Sequence, residues 1–180
     1  AELLATQCRV HGRRLAIVTN GGGLGVMATD RAIDLGIELA NLSETTITNL
    51  DKVLPHHWSR SNPIDVLGDA SPERYKAAVN ACLQDEGIDG VLVMLSPQAM
   101  TDPDACAQAV IDAHQTSSKP VLACWMGQQL IASADRLFAR HHVPCFSDPE
   151  SSVEAFACLA RFYENQQLLM QVPGPLSSHS

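Results

Sequence analysis

The chain has 180 residues, 46% hydrophobic and 18% charged, with a formal net charge of -8, which fits one well-buried domain with frayed ends. That acidic balance leaves no basic footprint for nucleic acid or an anionic membrane, and 4% aromatic content offers no stacking platform for bases. No apolar run approaches the ~20 residues that cross a bilayer, and the start AELLATQCRVHGRR lacks the basic-then-apolar order of a signal peptide, so a cytoplasmic protein is expected.

Residues 1–11 read as an N-terminal flank, 12–167 as the domain, and 168–180 as a linker tail, because QVPGPLSSHS turns abruptly to Pro, Gly and Ser. With Ala1 in first place, the segment reads as a piece of a longer protein. Five short apolar runs follow in order: RLAIVT (14–19), IELAN (37–41), GVLVML (90–95), PVLACWM (120–126) and VPCFS (143–147). Continuous apolarity of this kind marks strands covered on both faces.

Between them lie segments of helical period at 26–35, 44–54, 72–85, 103–116, 129–141 and 149–167. Three begin with a capping residue followed by proline and an acid, at Ser71-Pro72-Glu73, Asp102-Pro103-Asp104 and Asp148-Pro149-Glu150. Alternation of strand and helix predicts an α/β three-layer sandwich joined by right-handed crossovers. Its parallel, flavodoxin-like sheet is expected to have five strands in the order 2-1-3-4-5.

TNGGGLGVMATD (19–30) concentrates four glycines in five positions as the chain leaves the first strand. Glycine allows positive φ and close approach, and a helix start offers bare amides and the positive end of a dipole. Asn20, Gly21, Gly22, Gly23, Leu24 and Gly25 therefore form the expected phosphate or anion site. No Gly-Lys-Ser/Thr follows, so the loop is not a P-loop. Gly23 to Ala28 does fit G-x-G-x-x-A, with Glu44 placed for a ribose, which keeps an NAD(P)-binding domain as an alternative.

VTNGGGLGVMATD, SNPIDVLGDASPERY, MLSPQAMTDP and KPVLACWMG together resemble the succinyl-CoA-ligase-like flavodoxin domain of the NDP-forming acyl-CoA synthetases, over roughly residues 12–165. The resemblance is strongest to the branch of enterobacterial protein lysine acetyltransferases, in which a synthetase-like region is fused to a GNAT domain. It implies a structural and regulatory module without catalysis of its own. In the active synthetases it implies instead a domain that receives a phosphohistidine. The partners implied are CoA-binding, ATP-grasp and GNAT-type domains of the parent chain and, for an acetyltransferase, acyl-CoA synthetases as protein substrates. Acetyl-CoA and nucleotide belong to that parent, and no covalently bound cofactor is expected here. Neither Ser-His-Thr-Gly nor the GNAT acetyl-CoA pattern occurs in these residues.

A secondary rim is expected from Asn62 and Asp65, aimed at the glycine turn by the extended Asn62-Pro63 step, and from Ser96, Gln98 and Gly127, which follow the third and fourth strands. Asp65 and Asp69 equally suit the capping of turn amides. The pairs His56-His57 and His141-His142 diverge in any regular element, and the six cysteines form no CxxC, so no metal is expected. G-x-S-x-G is absent and Cys124 lies within an apolar strand, which leaves a hydrolase a distant third.

Overall fold

The computed structural model describes residues 10–127 and 132–170. Among the described residues, strands β1 (Arg14–Thr19), β2 (Glu38–Leu39), β3 (Ile64–Asp65), β4 (Gly90–Leu95), β5 (Val121–Trp125) and β6 (Cys145–Phe146) alternate with six helices. These are α1 (Gly22–Asp34), α2 (Glu44–Asp51), α3 (Pro72–Gln84), α4 (Pro103–His114), α5 (Ala132–Arg140) and α6 (Pro149–Met170). The sheet is parallel throughout, in the order β2-β1-β4-β5-β6, with β3 also paired to β1. The five expected strands thus appear in the expected order, and β3 makes a sixth.

Successive strand residues feed two separate cores, as the two-residue repeat of a strand requires. Leu15, Ile17, Leu92, Met94, Leu122 and Cys124 pack against Ala28 and Ala32 of α1 and Val153 and Phe156 of α6. Ala16, Val18, Val93, Leu95, Ala123 and Trp125 face Leu50 of α2, Tyr75 and Val79 of α3, Val110 of α4 and Phe138 of α5. Trp125 meets Phe138 edge to face at 4.8 Å and donates its indole N–H to the Pro103 carbonyl at 3.2 Å. Burying the two large aromatics therefore strands no polar group, for the Tyr75 hydroxyl also reaches the Met94 carbonyl.

The three caps read from the sequence are in place. Ser71 accepts from the Arg74 amide, Asp102 from the amides of Asp104 and Ala105, and Asp148 from that of Ser151. Several element limits differ from expectation: α2 ends at Asp51 rather than 54, and β2 and β6 are two residues each. Helix α1 begins at Gly22 rather than Val26, and α6 runs to Met170, past the expected domain limit at 167. Residues 1–9, 171–180 and the expected start of α5 at 129–131 lie outside the described residues.

The outer side of β1 is closed in three pieces. β2 pairs with Arg14 and Leu15, and β3 pairs with Val18 and Thr19. Between them the Asn62 side chain accepts from the Ile17 amide at 2.9 Å and donates to the carbonyls of Leu15 and Ala40 at 2.8 and 3.0 Å. One carboxamide supplies what a strand residue would have supplied. This corrects the expectation that Asn62 faces the glycine turn: unpaired backbone groups of β1 are costly to bury, and they take the side chain instead.

Two carboxylates fasten the chain ahead of β4. Asp89, buried, accepts from the Arg14 amide, Nε and Nη2 at 2.9, 2.9 and 2.8 Å. Asp85 accepts from the amides of Ser43 and Gly87 and from the Thr46 hydroxyl. Burial pushes both carboxyls up, but these hydrogen bonds outweigh it and hold both below the ordinary aspartate value. Among the described residues no helix is long and apolar enough to cross a membrane.

Groups with depressed folded-state pKa values stabilise fully above the unfolded value of about 4 and lose that contribution as pH falls through the folded value. Replacing Asp85 and Asp89 together by Asn should therefore lower stability at pH 7 and flatten the decline below about pH 4, as read from urea midpoints at stepped pH. A Cβ on Gly90 would lie 2.4 Å from Phe156 Cε2 and 3.1 Å from Pro120 Cγ. Gly90→Ala should accordingly cost about 1–3 kcal/mol of stability by overpacking, measured in the same urea titration.

Candidate functional site

In an open parallel sheet, ligands collect beyond the carboxyl ends of the strands. Four loops of the chain meet there: Asn20–Gly21 after β1, 66–71 after β3, 96–102 after β4, and Met126–Gly127 after β5. Asn20, buried, joins the first to the third. Its Nδ2 donates to the Ser96 carbonyl and its Oδ1 accepts from the Ser96 amide, both at 2.8 Å. The side chain is thereby committed to holding the ends of β1 and β4 together.

Three loops set a glycine against Ser96-Pro97-Gln98. A Cβ on Gly21 would lie 3.8 Å from Ser96 Cβ, one on Gly68 only 2.2 Å from Gln98 Oε1, and one on Gly127 3.0 Å from Pro97 Cγ. Gly127 also has φ +102, a conformation that L side chains resist. Ser96, Gln98 and Gly127 therefore lie together at the carboxyl end of the sheet. Gly68, not among the expected site residues, belongs with them; the Gly-Asp pair it forms with Asp69 was the available turn signal.

The glycine turn differs in detail from the expected one. Gly21 has φ -141, and positive φ among the described glycines occurs only at Gly36 and Gly127. Left-handed backbone therefore does not explain Gly21, Gly22 and Gly23, which corrects that part of the reading. The Gly21 carbonyl accepts from the amides of Leu24 and Gly25 at 3.1 and 3.3 Å, and the Gly21 amide donates to Thr19 Oγ1 at 3.1 Å. Gly25 has a packing reason: a Cβ there would lie 3.4 Å from both Pro63 Cβ and Thr19 Cγ2, so its absence lets α1 settle close onto the sheet.

Among the described residues, only the amides of Gly22 and Gly23 in this turn make no hydrogen bond. They are the first two helical donors, which have no partner within a helix, and both residues are exposed. Asp65 stands beside them. Its Oδ1 accepts from the Leu67 amide at 2.8 Å, while its Oδ2 lies 4.0 Å from where a Gly22 Cβ would be. Asp65 thus does both things its position allowed, closing its own turn and facing the glycine turn. Asp69 instead pairs with Arg74, which also donates to the Val66 carbonyl and so fixes the loop after β3.

Glu44 opens α2, whose first turn is bonded through Thr46 to Asp85 ahead of β4. That is the opposite edge of the sheet from the glycine turn, away from any ribose held there. Among the described residues no three His, Cys, Asp or Glu side chains converge as a metal site. Burial pushes the thiols of Cys82, Cys106 and Cys124 up to about 12, which leaves them inert packing. Cys158 is exposed.

The Ligase-CoA domain model matches residues 15–169. The chain belongs to the Ligase-CoA domain family. This Ligase-CoA domain is 37% identical over 148 residues to acetate–CoA ligase [ADP-forming] I of Archaeoglobus fulgidus, covering 82% of the chain and 21% of the relative. It is 33% identical over 165 residues to the alpha subunit of acetate–CoA ligase [ADP-forming] II of Pyrococcus furiosus, covering 89% and 36%. Among solved structures, the dinucleotide forming acetyl-coenzyme A synthetase 1 of Ca. Korarchaeum cryptofilum, in complex with phosphate and ADP, superposes with a TM-score of 0.84 at 31% identity. The alignment covers 93% of this chain and 38% of that one. The Ligase-CoA domain thus spans well under half the length of these relatives.

Asn20→Ala should leave the Ser96 amide without its acceptor, at a cost of about 1–3 kcal/mol. Amide hydrogen exchange should show Ser96 losing protection by about tenfold or more, while the amides of β5 change only with global stability.

Proposed function

We propose that this chain is the phosphoryl-receiving Ligase-CoA domain of an ADP-forming acyl-CoA synthetase. The observation that carries the reading is the pair of bare amides at Gly22 and Gly23, at the start of α1 and beyond the carboxyl end of β1. Two successive helix-start N–H groups and the positive end of a helix dipole stabilise phosphoryl oxygens and, in a site closed to water, the charge that develops during transfer. Such an enzyme couples cleavage of ATP to ADP and phosphate with joining an acid to CoA. The phosphoryl carrier, a histidine on a neighbouring domain, and the ATP-grasp nucleotide site lie in the rest of the parent protein.

Asp65 refines the chemistry. Its carboxylate repels a bare phosphate dianion beside Gly22, so the favoured occupant brings a proton to Oδ2, as the imidazole N–H of a phosphohistidine does. A relative that joins 4-hydroxybutyrate to CoA shows that the family is not confined to acetate. The ligase relatives favour this reading over a regulatory module of a lysine acetyltransferase. A parent chain with a GNAT domain and no Ser-His-Thr-Gly would reverse that preference.

Gly22→Pro tests the site. Proline is accepted at the first helical position and removes only an N–H, and Gly21 before it is already extended. In a titration with inorganic phosphate followed by NMR, the Gly22 and Gly23 amides should shift in the unmodified chain. The variant should bind more weakly by about 1.5–3 kcal/mol, about tenfold or more, with its helix intact. Asp65→Asn should bind inorganic phosphate more tightly. Unmoved Gly22 and Gly23 resonances at saturating phosphate would refute the site.

A further inference from the structure

Two exposed glycines in succession open α1, and nothing within the fold requires them. A Cβ on Gly23 would meet nothing within 4 Å, and one on Gly22 only Asp65 Oδ2 at 4.0 Å. Neither has positive φ, and the amides they offer would be offered equally by alanine. Glycine nevertheless costs a helix about 1 kcal/mol relative to alanine. The missing side chains matter only to a surface arriving from outside.

The same face of α1 continues in apolar side chains at helical steps. Val26 is 60% exposed, Met27 45% and Ile33 66%, with the exposed carboxylates of Asp30 and Asp34 among them. The opposite face, through Gly25, Ala28 and Ala32, is buried. An exposed stripe of large apolar residues beside two bare glycines has the make-up of an interface.

We infer that this stripe, from Gly22 to Asp34, is the seat of another domain of the parent enzyme, whose contacting surface is apolar at its centre and carries lysine or arginine opposite Asp30 and Asp34. A second copy of this chain fits less well. A two-fold contact sets the stripe against itself and gathers the Asp30 and Asp34 carboxylates of two chains, each with a net charge of -8. Further protein is at hand in the relatives, of whose lengths this chain matches 21% and 36%. The inference rests on the multidomain part of the synthetase reading and not on a phosphate at Gly22.

The test uses the full-length protein with p-benzoylphenylalanine replacing Met27 or, separately, Ile33, followed by irradiation and peptide mapping. Cross-links from both positions to peptides outside residues 1–180 are expected. Asp30→Lys combined with Asp34→Lys should lower their yield at least fivefold, while circular dichroism remains unchanged. Cross-links joining α1 to α1 of a second copy, cross-links confined to residues 1–180, or none at all would overturn the inference, and an unchanged yield in the double variant would overturn the basic partner. Acyl-CoA formation by the same preparation is assayed in parallel. Activity without these cross-links sinks the docking surface alone, and cross-links without activity sink the synthetase reading alone.

Discussion

Beyond the last ladder bonds of the sheet, a single side chain ties the ends of β1 and β4 together. Asn20 exchanges two hydrogen bonds with the backbone of Ser96, so the ends of β1 and β4 cannot part without stranding a donor and an acceptor in a buried place. Everything on the rim is referred to that pair. The glycine turn departs from one side of it, and Ser96-Pro97-Gln98 departs from the other to meet Gly68 and Gly127. A loop cluster that would otherwise drift is thereby set on a rigid base, which is what a site for a transferred group needs.

Much of this architecture was legible in the sequence because its signals are local. Unbroken apolar runs identified β1, β4 and β5, and Ser71, Asp102 and Asp148 marked helix starts to the residue. What escaped is what depends on contacts across the chain. Ile64 and Asp65 form a strand only because β1 lies ready to pair with them, and two residues carry no periodicity to read. Asn62 next to a proline is indistinguishable in sequence from a turn residue, and its three bonds into the sheet belong to residues 22 to 47 positions away.

The glycine turn shows the same division. Its position at the edge of the sheet and its bare amides were readable, but the reason for each glycine was not. A Cβ at Gly25 would press on Pro63 and Thr19, one at Gly21 would make only ordinary contact with Ser96, and those at Gly22 and Gly23 would meet almost nothing within the fold. One cluster of identical residues thus has unlike surroundings, and only the neighbours of each absent Cβ separate them.

The patchwork along the outer side of β1 bears on solubility. A long central strand with a free side is a template on which another chain can add a strand, and natural sheets avoid presenting one. Here the interruption between β2 and β3 falls where the Asn62 carboxamide occupies the hydrogen-bonding groups, and the outermost strands β2 and β6 are two residues each. The sheet therefore ends on both sides in stubs too short to recruit a neighbour, and a molecule with almost half its residues hydrophobic is guarded against edge-to-edge polymerisation.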